Sequence, residues 1–97
     1  MVAGDDDQLG FSGKLCPLAW NRLQQTGHVS QYRDVFLHYA NAGHYIGIPY
    51  TPAANLVTVS SPYGDLKMGG TDSGNAYAAQ DSWPRILAFL RNAAGAL

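Results

Sequence analysis

Val35-Phe36-Leu37-His38-Tyr39 is a block of β-formers set between two stretches of helical periodicity, and this arrangement constrains the fold most. An almost unbroken apolar run suits a strand covered on both faces, as a parallel sheet requires. Upstream, Leu15, Leu18, Ala19 and Leu23 fall at i, i+3, i+4 and i+8, one face of an amphipathic helix over residues 12–26. Trp20 stands beside that face and Gly27 is a natural stop. Pro17 is disfavoured inside a helix, so regular helix is expected from about Cys16. Downstream, Ala76, Ala79, Trp83, Ile86, Leu87 and Leu90 predict a buried stripe on a last helix from Asp72 or Ser73 to about Asn92. Pro84 should kink that helix or split it in two, and Asp81 and Arg85 pair on its exposed side.

Met1-Val2-Ala3-Gly4 reads as the tail of a strand whose earlier residues are absent, and Asp5-Asp6-Asp7-Gln8 as a polar turn. Residues 28–34 form a polar connection. Residues 44–72 hold Pro49, Pro52 and Pro62 with several glycines, and read as a long surface excursion with little regular structure. The order strand, helix, strand, long loop, helix is α/β organisation within a single domain over residues 1–97.

Composition bears on what covers this domain. Charged residues are 13% of the 97, with every acid an Asp, against a usual ~25%. A chain this short has a marginal core. Low charge therefore predicts surface covered by an oligomer, a partner or more chain. The net charge of −1 and the scattered cations argue against nucleic-acid binding. No apolar run reaches the ~20 residues that span a bilayer, and the N-terminus lacks the pattern of a signal peptide. A single cysteine, Cys16, precludes an intrachain disulfide and fits a cytoplasmic setting.

No cofactor or metal is expected. Gly69-Gly70 lacks the pattern of a phosphate-binding loop, and the three aspartates with three histidines match neither a calcium loop nor a zinc site. Cys16 lies in an apolar setting and reads as a small core residue. His38, Trp20 and Trp83 read as packing residues. The chemistry concentrates elsewhere. Asp7 follows one strand end and His44 the next, 37 positions on, which is the spacing of one α/β repeat. A carboxylate beside an imidazole orients it and stabilises its cation during proton transfer.

Gly4-Asp5-Asp6-Asp7-Gln8-Leu9, Gly43-His44-Tyr45-Ile46-Gly47-Ile48-Pro49-Tyr50, Gly69-Gly70-Thr71 and Ala79-Gln80-Asp81-Ser82-Trp83-Pro84 together carry a resemblance. Over nearly its whole length the chain resembles the C-terminal part of the acyl-CoA thioesterases and bile-acid-CoA:amino-acid N-acyltransferases. The resemblance implies an α/β-hydrolase fold, of which this chain is a C-terminal fragment completed by oligomerisation or by the missing N-terminal part. It implies Asp7 as triad acid, with Asp6 as its competitor, and His44 as triad base. The family nucleophile is a Ser or Cys on an elbow preceding the acid. No Gly-x-Ser-x-Gly or Gly-x-Cys-x-Gly occurs here, and Gly10 stands where the family usually has a Trp. The chain alone is thus expected to lack hydrolase activity. The alternative is a non-catalytic module that folds through self-association.

Overall fold

The computed structural model describes residues 1–51 and 56–95. Its elements are β1 (Val2–Gly4), α1 (Ser12–Gln25), α2 (His28–Tyr32), β2 (Leu37–Tyr39), β3 (Thr58–Ser61), β4 (Gly64–Lys67) and α3 (Asp72–Ala93). β1 and β2 pair in parallel, with Val2 opposite Leu37 and Gly4 opposite Tyr39. Side chains of a strand alternate between faces. Phe36 and His38 turn toward α1, where Phe36 lies 5.7 Å from Trp20 between ring centroids. Tyr39 turns the other way, donating its hydroxyl to Asp81 of α3 at 2.8 Å and packing with Ala42 and Ala78. The small sheet lies between α1 and α3. That is a three-layer α/β arrangement.

Both long helices are rotated from the expected orientation. On α1 the partly covered side holds Ser12, Gly13, Cys16, Pro17, Trp20 and Leu23, while Leu15 is 57% exposed and Leu18 66%. Gly13 fixes this rotation, because a Cβ there would lie 2.7 Å from Asp5 Cα. The helix is pressed onto the acidic turn by its glycine, and Leu15 and Leu18 are left facing outward. It also begins at Ser12 rather than Cys16, with Pro17 inside it. The start is set by a distant cap: Asp7 Oδ2 accepts the Ser12 N–H at 3.1 Å. Local proline chemistry gives way to that contact.

In α3, Thr71 Oγ1 accepts the Gly74 N–H at 2.9 Å and caps the helix. Its buried residues are Asn75, Ala78, Ala79 and Ser82, with Trp83 and Ile86 partly covered. Ala76, Leu87 and Leu90 are exposed, against the expected stripe. Small residues permit close approach to the sheet, and a hydrophobic periodicity does not count Asn or Ser. Pro84 does not divide the helix.

Residues 44–72 are less irregular than expected. β3 and β4 form an antiparallel hairpin, Thr58 opposite Lys67 and Ser61 opposite Gly64, closed by Pro62 and Tyr63. Pro62 lies in the turn and Gly64 (φ 113°) opens β4, so neither breaks regular structure. Pro52 lies outside the described residues. Residues 28–34, expected as a connection, contain the one-turn helix α2. The buried apolar core consists of Ala3, Tyr39, Ala42, Met68, Ala78 and Ala79, and the radius of gyration is 14.8 Å. A compact domain of 100 residues has about 13 Å. Large apolar side chains, Leu15, Leu18 and Ile48 among them, are exposed.

Candidate active site

The turn after β1 gives its three aspartates three different partners. Asp5 Oδ2 lies 3.1 Å from His38 Nδ1. Asp6 Oδ2 accepts the Gly70 N–H at 2.8 Å, and its carboxylate also receives the Gln8 amide. Asp7 folds inward. Its Oδ1 accepts the N–H groups of Leu9 (3.0 Å) and Gly10 (2.8 Å), and its Oδ2 that of Ser12. His44 Nδ1 lies 3.2 Å from both oxygens of the same carboxylate. Asp7, and not Asp6, therefore faces His44.

Burial pushes the Asp7 carboxyl up, but the hydrogen bonds from Ser12, Gly10 and His44 outweigh it and hold the group well below the usual carboxylate range. The Asp7 side chain is 2% exposed and that of His44 42%. A fixed, buried anion thus faces one ring nitrogen of a half-exposed imidazole. Among the described residues the opposite nitrogen, Nε2, has no hydrogen-bond partner. Gly10 permits this approach, since a Cβ there would lie 3.1 Å from the His44 ring.

The His44 loop is held by residues 68–70 and by α3. The His44 N–H donates to Met68 C=O at 2.8 Å, and the Gly43 N–H donates to Asn75 Oδ1 at 2.8 Å. Residues 68–70 run between the acidic turn and the His44 loop, with single bridges from Gly69 to Asp7 and from Gly70 to Ala42. The packing leaves no room for side chains: a Cβ on Gly43 would lie 2.2 Å from Gly69 O. Gly69-Gly70, which resembles no phosphate loop, is a brace for the site. Asn75, at 2% exposure, is the residue that sequence reading missed. In the sequence it is one polar residue among several on α3, and nothing there sets it apart.

Asp7 and His44 share a cleft of about 380 Å³ with Val2, Ile46, Trp83 and Ile86 on its walls. Trp83 thus lines the site as well as packing, whereas Cys16 does not line this cleft. His28 pairs with Asp34 at 2.5 Å, so each of the three histidines lies against an aspartate. Among the described residues no three His, Cys or Asp side chains gather in a way that could hold a metal ion. No helix among them is long and apolar enough to cross a membrane.

A carboxylate orienting an imidazole beyond the ends of parallel strands is the arrangement of α/β enzymes that move a proton during acyl transfer. The family model described as BAAT / acyl-CoA thioester hydrolase C terminal matches residues 1–96. The chain belongs to this family. It is an acyl-CoA thioesterase- and acyltransferase-like C-terminal region, and its short sheet between two helices is compatible with the C-terminal part of an α/β-hydrolase domain. A search of curated proteins found no match to the chain.

Proposed function

We propose that this chain supplies the acid and base of an acyl-transfer triad, Asp7 and His44, to a nucleophile carried outside these 97 residues. His44 Nε2 takes the proton of a Ser or Cys nucleophile as that group attacks the thioester carbonyl. The same nitrogen returns the proton to the leaving thiol. In the second half it activates water, for hydrolysis, or an acceptor amine, for acyl transfer. Asp7 holds Nδ1 and stabilises the imidazolium between the two proton transfers. The observation that carries this reading is the Asp7 carboxylate, buried, fixed by three backbone N–H groups and facing Nδ1 of a half-exposed His44.

The sequence contains no nucleophile elbow, and a His–Asp pair without nucleophile and oxyanion hole does not run this chemistry. The isolated chain is expected to turn over no acyl-CoA. Joined to a nucleophile-bearing hydrolase segment, it should support thioester cleavage that His44→Ala lowers by about 10³-fold or more. Turnover by the isolated chain would contradict the first expectation. Unchanged turnover in the joined His44→Ala protein would contradict the assignment of His44.

A further inference from the structure

In the parallel ladder, the Leu37 N–H donates to Met1 C=O and the Tyr39 C=O accepts the Asp5 N–H. Leu37 and Tyr39 therefore direct their backbone groups at β1, and those of Phe36 and His38 point the other way. Among the described residues no strand pairs with that outer edge. The outer edge of β1 differs, because it is closed at Gly4: its N–H donates to Ser12 Oγ at 3.3 Å and its C=O accepts the Asp7 N–H. Edge strands that stay unpaired usually carry Lys, Pro or an inward charge. Residues 35–39 carry no Lys, Arg, Asp or Pro.

A cleft of about 650 Å³, larger than the one at Asp7 and His44, runs beside this edge and is lined by His38, Asn41, Tyr77, Asp81 and Arg85. A second cleft of about 390 Å³ adjoins it at Leu37 and Arg85 and reaches Val35 and Phe89. Together they follow the strand along its length.

We propose that a second copy of this chain fills these clefts, pairing β2 with β2 in antiparallel fashion about a two-fold axis at His38. The backbone register is self-complementary. His38 exchanges both hydrogen bonds with its own counterpart, and Phe36 faces the second copy's Ala40. The charges select the same arrangement. The two-fold axis reverses α3, which lies over the edge, and so brings each copy's Arg85 toward the other's Asp81 and Tyr77. The Arg85 side chain is 60% exposed and already reaches its own Asp81 at 3.2 Å, so the second carboxylate meets a guanidinium with donors to spare. The same axis brings Arg33, ahead of β2, toward the second copy's Asp72 at the start of α3. A two-stranded sheet, marginal by itself, becomes four-stranded. This edge is not the face that holds Asp7 and His44, so the pairing is independent of the proposed chemistry.

Sedimentation of the 97-residue chain over a dilution series, with amide hydrogen exchange on the same samples, tests the proposal. The expected result is twice the monomer mass at high concentration, with the His38 amide protected there and released on dilution. The Tyr39 amide, bonded within one copy, should be protected throughout. Arg85→Asp should restore the monomer mass and His38 exchange with circular dichroism unchanged. A monomer at every concentration overturns the proposal. So does a dimer whose His38 amide exchanges freely, because the copies would then meet elsewhere. Protection of His38 only on addition of an extended peptide of another sequence would assign the edge to a foreign strand and overturn self-pairing.

Discussion

His44 Nδ1 lies 3.2 Å from each oxygen of Asp7, while the backbone of Leu9, Gly10 and Ser12 occupies the remaining acceptor positions of that carboxylate. The same side chain therefore builds the turn, caps α1 and orients the imidazole. A residue with three structural bonds cannot be exchanged without a cost in stability.

Asp7 should dominate the acid sensitivity of the fold. Its carboxyl is held below the ordinary value, so its contribution to stability is present above about pH 4 and is lost as pH falls toward the depressed folded value. Asp7→Asn should be less stable than the parent near neutrality, by about 1–3 kcal/mol, with a shallower loss between about pH 5 and 2. Urea unfolding at a series of pH values checks both. Parallel pH curves for the two proteins would show that the carboxylate is not the responsible group.

Gly43 should tolerate no side chain. A Cβ would lie 2.2 Å from Gly69 O and 2.5 Å from Met68 O, both backbone atoms, and Met68 O already accepts the Gln8 and His44 N–H groups. Gly43→Ala is expected to destabilise by about 3 kcal/mol or more. At Gly27, where φ is 76° and nothing lies within 4 Å, Ala should cost only about 1 kcal/mol of backbone strain. Thermal melts of the two variants compare close packing with conformation alone. Equal losses would contradict the brace formed by residues 68–70.

The rotation of α1 is testable through Leu18, which the apolar pattern places on the buried face, and Trp20, which it places beside that face. Leu18 is 66% exposed, so Leu18→Ala should change stability by no more than about 0.5 kcal/mol. Trp20, packed on Phe36, should lose about 2 kcal/mol or more when truncated. Chemical denaturation separates the two. A large loss at Leu18 would restore the orientation expected from the apolar pattern, or reveal a partner on that face.

These contrasts show where sequence reading reaches its limit. The order of the main elements and the pairing of Asp7 with His44 are legible, because α/β spacing returns the chain to one sheet edge. Helix rotation is not, because Gly13 in α1 and the small buried residues of α3 set it through contact distance, and a hydrophobic count ignores them. The start of α1 depends on a carboxylate five positions upstream. The hairpin of β3 and β4 is obscured because Pro62 in its turn and Gly64 at the start of β4 read as breakers. Asn75 is invisible for a related reason: its partner, the Gly43 N–H, lies 32 positions away.

The role given to His44 rests on its Asp7-facing nitrogen, and nitrogen-15 NMR of the imidazole in the folded chain observes that nitrogen directly. Neutral His44 should carry its proton on Nδ1, hydrogen-bonded to Asp7, with Nε2 bare and ready to accept a proton. Asp7→Asn should abolish that preference while the backbone spectrum stays folded. A neutral His44 protonated on Nε2, or a ring indifferent to Asp7→Asn, would contradict the account.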